Sequence, residues 1–131
     1  MLKRSTQKPT AGEMEILVIL WMYDAATVRQ IHELLNVHKP TAYTTTLKML
    51  QIMTEKSLVE RDVSNRAHVY RAKLGREITE RTFAQDLIRR VFSGSATQLI
   101  MRVLESEPSD AEELAAIRRI IEKAERRVKG K

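Results

Sequence analysis

The sequence of 131 residues contains no cysteine, 4 glycines, 3 prolines and only 5% aromatic residues. Without cysteine it has no disulfide, thiolate metal ligand or cysteine nucleophile, which fits a reducing compartment such as the cytoplasm. No apolar run approaches the roughly 18 residues that a membrane-spanning helix needs, and residues 1–14 lack the apolar segment of a signal peptide. The scarcity of aromatic rings argues against an RNA reader that stacks bases. We expect a cytoplasmic protein that is rich in helix and has no membrane partner.

Motifs of the common enzyme classes are absent as well. There is no glycine-rich phosphate loop and no Gly-x-Ser-x-Gly nucleophile elbow. His32 and His38 lie six residues apart, which is not the i, i+4 spacing of a helical metal pair, and the third histidine is His68. Acidic residues are spread along the chain without a convergent pair. We expect no enzymatic activity, no cofactor and no metal site.

The net charge of +6 is concentrated in the first half of the chain. Residues 1–73 hold 11 Lys and Arg and 7 Asp and Glu, a net charge of +4, whereas residues 74–131 hold 12 and 10, a net charge of +2. Residues 1–9 form a basic arm with three cations and no acid. This excess suits a polyanion such as DNA, but it also fits any basic soluble protein, so charge alone leaves both interpretations open.

Two stretches, Thr10–Glu13 and Thr27–Gln30, have the spacing of a capping box, in which the threonine and the residue three positions on bond to each other's backbone. Apolar residues at helical spacing follow each of them. The first stretch predicts a helix to about Tyr23, and the second predicts a short helix that ends at Asn36. Residues 24–26 between the two helices indicate a turn.

A third helix is predicted over residues 40–56, with proline in its first turn. Residues 58–63 and 67–72 then alternate on either side of the turn signal Ser64-Asn65, which predicts a β-hairpin. Three helices followed by a hairpin is the plan of a winged helix-turn-helix domain, here residues 10–73. In that plan the third helix enters the major groove of DNA.

Residues 74–128 are predicted to form three amphipathic helices, about 75–92, 95–106 and one opened by a capping box at Ser109–Glu112, before a tail at 129–131. The fold class is therefore mostly α with a small β-hairpin. The apolar residues of 74–128 have little partner surface in their own chain, which predicts a homodimer; the alternative is a subdomain folded on the chain's own N-terminal unit. The candidate dimer residues are Leu74, Ile78, Phe83, Leu87, Val91, Leu99, Ile100, Val103, Leu104, Leu114, Ile117 and Ile121.

The stretch KPTAYTTTLKML, residues 39–50, crowds threonines at the start of the third helix. At 100° per residue one face collects Thr41, Thr44, Thr45, Lys48, Ile52 and Glu55. The opposite, inner face collects Tyr43, Thr46, Leu47, Leu50, Met53 and Thr54. A threonine hydroxyl can bond a base edge or a phosphate, and its methyl can pack on a thymine methyl. These threonines are either a DNA-reading face or merely exposed to solvent; the three-helix and hairpin context favours DNA.

The hairpin tip adds two candidates for DNA contact, Arg66 and His68, with Arg71 and Lys73 following. A cation at this tip could meet a phosphate or the minor groove, and such contacts position a protein without specifying sequence. The alternative is that these are ordinary solvated charges.

Five peptides carry a resemblance to a known family: EMEILVILW (13–21), ATVRQIHELL (26–35), PTAYTTTLKMLQIMTEKSLVER (40–61), RAHVYRA (66–72) and FSGSATQLIMRVLE (92–105). Together they resemble the penicillinase repressors and methicillin-resistance repressors, to which copper-responsive repressors are related. The resemblance implies a bacterial transcriptional repressor that binds a pseudo-palindromic operator as a homodimer and controls β-lactam-resistance or stress genes. By this resemblance, the DNA-facing positions of the third helix are Thr41, Ala42, Thr44, Thr45 and Lys48.

Two departures from that family matter. The copper-responsive relatives bind metal through C-terminal cysteines, which this chain lacks. The β-lactam-responsive members are inactivated by cleavage of an Asn-Phe bond under the control of a membrane sensor, and Arg102-Val103 stands at that place. A regulatory protease is therefore a partner implied by the resemblance alone. The rival function is a winged-helix module for protein–protein contact without sequence-specific DNA binding.

Overall fold

The computed structural model describes residues 8–106 and 110–130, and in them it has six α-helices and three short β-strands. The chain divides into two compact units between Asp86 and Leu87, inside the fourth helix. Most of the basic arm, residues 1–7, lies outside the described residues, and the functional divide expected at residues 73 and 74 stays a prediction.

The N-terminal unit has the order that the sequence predicted. Its elements are α1 (Ala11–Tyr23), β1 (Ala26–Thr27), α2 (Val28–His38), α3 (Tyr43–Glu55), β2 (Val59–Asp62), β3 (Val69–Ala72) and the first part of α4 (Arg76–Val91). The three strands form an antiparallel sheet in the order β1-β3-β2. Helices α2 and α3 are the helix-turn-helix pair, and β2 and β3 are the wing. The winged helix-turn-helix fold is confirmed.

Both threonine caps are confirmed. The Thr10 hydroxyl accepts from the backbone N–H of Glu13 at 3.1 Å, and the Glu13 carboxylate accepts from the N–H of Thr10 at 2.9 Å. Thr27 and Gln30 make the same reciprocal pair at 3.2 and 2.9 Å. Each box satisfies backbone donors that a helix start leaves open.

Strand β1 is an addition to the predicted plan, in which residues 24–26 are only a turn. Asp24 does reverse the chain, with φ of 69°. Ala26, however, already belongs to the sheet, where it pairs with Tyr70. A strand of two residues is too short to show alternation, so its signal comes from pairing with β3 and not from its own sequence.

Two predicted helix boundaries are wrong. Helix α2 continues through Asn36 to His38, and the Asn36 side chain donates to the carbonyl of His32 one turn back. Helix α3 begins at Tyr43, with Ala42 as its N-cap, so Pro40 precedes the helix. Proline forces the residue before it out of the helical region, and Lys39 is indeed extended, with φ of −154° and ψ of 129°.

The core of the N-terminal unit lies between α1, α2, α3 and the sheet. Its fully buried side chains include Ile16, Leu17, Leu20, Ile31, Leu50, Met53 and Tyr70. Leu50 and Met53 are the inner-face residues that the helical wheel selected for α3. Burial of these side chains fixes which way α3 faces, and so which residues it presents outward.

The C-terminal unit contains the end of α4, then α5 (Ala96–Ser106) and α6 (Ala111–Lys129). No described residue of α5 or α6 is buried. The cap of α6 is Asp110, whose carboxylate accepts from the N–H of Glu113 at 2.8 Å, so the box predicted at Ser109–Glu112 is one residue early. Ser109 itself lies outside the described residues.

Candidate nucleic-acid interface

The outer face of α3 carries Thr44, Thr45 and Lys48, all exposed. Ile52 and Glu55 follow on the same face and are exposed too, whereas Thr46 is fully buried. The predicted division of α3 into an outer and an inner face is therefore confirmed for these residues. The result is a surface of two short side chains that can both donate and accept hydrogen bonds, beside a lysine.

Tyr43 lies towards α2, as the wheel predicted for the inner face, but it is only partly covered. It is 47% exposed, and its ring packs edge-on against His32 with a centroid distance of 5.3 Å. Gln51, which the sequence did not single out, is exposed near the outer face. It follows Thr44 by seven residues, which at 100° per residue is about 20° short of two full turns, so the two side chains lie on nearly the same side of α3.

Thr41 lies in the connector before α3 and not on the helix. Its N–H donates to Asn36 Oδ1 at 2.8 Å, and its hydroxyl donates to the carbonyl of Lys39 at 3.1 Å. The wheel angle assigned to Thr41 therefore has no meaning, because the helical spacing starts only at Tyr43. Thr41 nonetheless lies near the outer face, since it lines one hollow with Ala42 and Thr45.

The start of α3 has no side-chain cap, because its N-cap residue is Ala42. The Ala42 carbonyl accepts from the N–H groups of Thr45 and Thr46 at 3.0 and 3.2 Å. The Ala42 methyl is exposed, as a contact with a thymine methyl would require. An uncapped helix start also presents backbone N–H groups that suit a phosphate.

The wing turn, residues 63–68, is exposed throughout, and Arg66 and His68 lie in it. Its start is organised by Asp62, whose carboxylate accepts from the N–H of Ser64 at 2.9 Å and from the Ser64 hydroxyl at 2.7 Å. These two bonds lower the pKa of Asp62 below its ordinary value of 3.8, and the bond from the backbone N–H of Ser64 is the larger cause. The turn thus has an ordered base and a basic tip.

The candidate dimer residues are largely uncovered within their units. In the N-terminal unit Leu74 and Ile78 are exposed, and Phe83 is half-buried. In the C-terminal unit Leu87, Leu99 and Ile117 are half-buried, and the exposed candidates are Val91, Ile100, Val103, Leu104, Leu114 and Ile121. Many large apolar side chains that are exposed together are typical of a surface that another element or chain covers.

Two other kinds of site do not occur in the described part of the chain. Residues 8–106 and 110–130 contain no group of three or more His, Asp or Glu side chains arranged to hold a metal ion. In the same ranges, no helix is both long enough and apolar enough to cross a membrane.

Comparisons with known proteins agree with this geometry. A sequence model described as penicillinase repressor matches residues 9–123. The chain is 33% identical over 118 residues to the transcriptional regulator BlaI of Mycobacterium tuberculosis, an alignment that covers 87% of this chain and 84% of that protein. It is 21% identical over 118 residues to the methicillin resistance regulatory protein MecI of Staphylococcus aureus, covering 90% and 96%. The chain therefore belongs to the penicillinase repressor family, a family of transcriptional repressors and not of enzymes.

Proposed function

We propose that this protein is a sequence-specific DNA-binding repressor that acts as a homodimer on a pseudo-palindromic operator. The observation that carries the proposal is the outer face of α3. Thr44, Thr45 and Lys48 are exposed together on the second helix of a helix-turn-helix pair, in a chain of the penicillinase repressor family. Residues near the start of such a helix are those that contact base edges.

Two features supply the phosphate contacts in this proposal. The uncapped start of α3 offers backbone N–H groups, and Lys48 adds a cation one turn further on. On the wing, Arg66 and His68 are exposed in a turn that Asp62 orders. These groups set the register of the protein on DNA, while the threonines and Ala42 read bases.

The homodimer follows from what one recognition helix can do. A single short helix reads a few base pairs, so two copies are needed to select an operator, and two-fold symmetry makes the operator a palindrome. The exposed apolar side chains of α5 and α6 support this role. An obligate interface buries more than roughly 2,000 Å² in total, and at about 25 cal/mol per Å² of apolar area that burial outweighs the cost of association.

Genomic selection of bound DNA fragments, followed by a salt titration, tests the proposal. The full chain should enrich one palindrome, and the logarithm of its binding constant should fall linearly with the logarithm of salt concentration. The double substitution Thr44→Ala with Thr45→Ala should weaken operator binding by about 1–3 kcal/mol for each base that these two side chains read. Thr97→Ala, which removes an exposed threonine from α5, is the matched control and should bind as wild type does.

The rival function is an interaction module that keeps the fold but reads no sequence. Under that function the selection enriches no fragment, and the double threonine variant behaves as Thr97→Ala does. Operator binding that is unchanged in the double variant would also reject the α3 face as the reading surface. Dimerisation and folding should be intact in both variants, because Thr44, Thr45 and Thr97 are exposed and none of them is a candidate dimer residue.

The regulated genes are proposed to be β-lactam-resistance or stress genes, and the site of action is the cytoplasm, where the chromosome lies.

Relief of repression by a regulatory protease is also part of this proposal. The Arg102–Val103 bond lies inside α5, and Arg102 Nη1 contacts Glu105 Oε1 at 3.0 Å. Induction of the genes by a β-lactam should yield a fragment ending at Arg102; induction with the chain intact would reject this mode of relief.

A further inference from the structure

Asn36 makes hydrogen bonds in two directions at the end of α2. Its Oδ1 accepts from the backbone N–H of Thr41 at 2.8 Å, across the connector. Its Nδ2 donates to the carbonyl of His32, one turn back, at 3.1 Å. The amide therefore joins the body of α2 to the residue next to the N-cap of α3. Asn36 is exposed, so the core does not demand this residue type.

The same amide contacts His32, which in turn contacts α3. Asn36 Nδ2 lies 3.2 Å from His32 Nδ1 and 3.0 Å from His32 Nε2, so it lies against the imidazole ring, and His32 Nδ1 is hydrogen-bonded to Thr46 Oγ1 at 3.4 Å. Thr46 is fully buried, and the His32 ring also packs edge-on against Tyr43. His32 thus holds the first turn of α3 at two points, and Asn36 holds His32.

We propose that Asn36 is a positioning residue for DNA recognition, which fixes the connector and the first turn of α3 relative to α2. This proposal rests on the proposed function. Through Thr41 it sets where Ala42 and the uncapped start of α3 lie, and through His32 it sets the rotation of the turn that carries Thr44 and Thr45. Asn36 acts through these residues and needs no contact with DNA itself.

The chemistry requires an amide at this position. An amide accepts and donates at once, whereas a carboxylate only accepts and a methyl group does neither. Asn36→Asp should therefore keep the bond from the Thr41 N–H and lose the bonds to His32. Asn36→Ala should lose both. Val37→Ala, at the next and equally exposed position of α2, is the matched control.

The first measurement is amide hydrogen exchange in the free protein. The Thr41 N–H should be protected in the wild type, in Val37→Ala and in Asn36→Asp, and it should exchange at least about 10-fold faster in Asn36→Ala. Equal protection in Asn36→Ala and Val37→Ala would overturn the proposed bond and with it the proposal.

The second measurement is the ratio of Kd for DNA with substituted half-sites to Kd for the selected operator. A merely destabilised protein would weaken on both DNAs, and its ratio would stay the same. In Asn36→Ala the ratio should fall about 10-fold, and the salt slope should match wild type because no cation is removed. Val37→Ala should match wild type in both measurements. The negative charge added in Asn36→Asp weakens binding to both DNAs alike, so it leaves the ratio unchanged. We expect the ratio to fall about threefold in this variant, because only the His32 bonds are removed.

The outcomes separate the two proposals. If wild type binds both DNAs equally, the proposed function fails, and the positioning role fails with it. If wild type discriminates and Asn36→Ala discriminates as well as Val37→Ala does, the positioning role alone is overturned. Should Asn36→Ala fail to fold, Asn36→Asp decides for the positioning of α3 through His32: a reduced ratio with a protected Thr41 N–H supports it, and a wild-type ratio overturns it.

Discussion

Lys56 Nζ lies 2.7 Å from Glu13 Oε1, and the two side chains are only 15% and 6% exposed. This ion pair joins the first turn of α1 to the C-cap of α3. The same ammonium group donates to the carbonyl of Lys8 at 3.3 Å, and the same carboxylate accepts from the N–H of Thr10. The far end of the proposed reading helix is therefore fixed to the start of the fold by one small polar cluster.

Lys56→Met should destabilise the protein, because it leaves the Glu13 carboxylate buried without its cation. Removing one partner of a buried pair costs about 3–5 kcal/mol, and partial exposure of Lys56 lowers the expected loss to about 2 kcal/mol. Urea denaturation measures the free energy of unfolding. Lys48→Met, at an exposed lysine of the same helix, should change it by less than about 0.5 kcal/mol. Equal losses in the two variants would show that the pair contributes nothing.

The parts of the fold that the sequence predicted are those with local signals. The boxes at Thr10–Glu13 and Thr27–Gln30 need only four residues each, and the inner face of α3 follows from its period. The misses depend on distant partners. Strand β1 exists because β3 pairs with it, and Asn36 does not end α2 because His32 and Thr41 satisfy its amide.

The candidate site shows the same limit. Thr44, Thr45 and Lys48 could be found because they lie within α3, where 100° per residue applies. Thr41 was misplaced because it precedes the helix, where 100° per residue does not apply. The bond between Asn36 and Thr41 could not be predicted, since it spans a connector whose path no periodic pattern describes.

Gly12→Ala should raise the free energy of unfolding by about 0.5 kcal/mol, because alanine is a better helix residue than glycine. A Cβ at this position would lie 3.2 Å from Met49 Cε on α3, and the flexible methionine can move by the small distance needed. Thermal and urea denaturation measure the change. Gly75→Ala is the comparison: a Cβ there meets nothing within 4 Å, but Gly75 precedes α4, so we expect no gain in the free energy of unfolding.

Gly12→Val tests the same approach of α1 to α3 from the other side. Its two extra methyl groups cannot be accommodated by a small shift of Met49, so the free energy of unfolding should fall by about 1–3 kcal/mol. A loss above about 1 kcal/mol already in Gly12→Ala would contradict the prediction, and it would mean that Met49 is fixed in place.

Asp62 should titrate with a pKa below 3.8, because the N–H and hydroxyl of Ser64 bond to its ionised form. Because the folded-state pKa of Asp62 is lowered, its bonds to Ser64 stabilise the wing turn fully at pH values above the ordinary pKa. This stabilisation is lost as the pH falls through the lowered pKa. NMR titration of the Asp62 carboxyl carbon measures the pKa. Ser64→Ala should raise the pKa more than Arg71→Gln does, since the Arg71 charge is the smaller cause; the reverse order, or a wild-type pKa at 3.8 or above, would refute this origin.

Ile121→Asp should convert the proposed dimer into a monomer. Ile121 is 49% exposed on α6 and shares its apolar side with Leu114 and Ile117, so in a dimer its replacement would place an unpaired carboxylate in the interface. A buried unpaired charge costs about 3–5 kcal/mol, which is a rise of about 150- to 5,000-fold in the dimer Kd. Sedimentation equilibrium measures that Kd. Arg119→Ala lowers the net charge by the same one unit on the other side of α6, and it should remain a dimer. Operator affinity should fall with dimerisation in Ile121→Asp, because each half-site then binds alone; a variant that stays dimeric would remove this side of α6 from the interface.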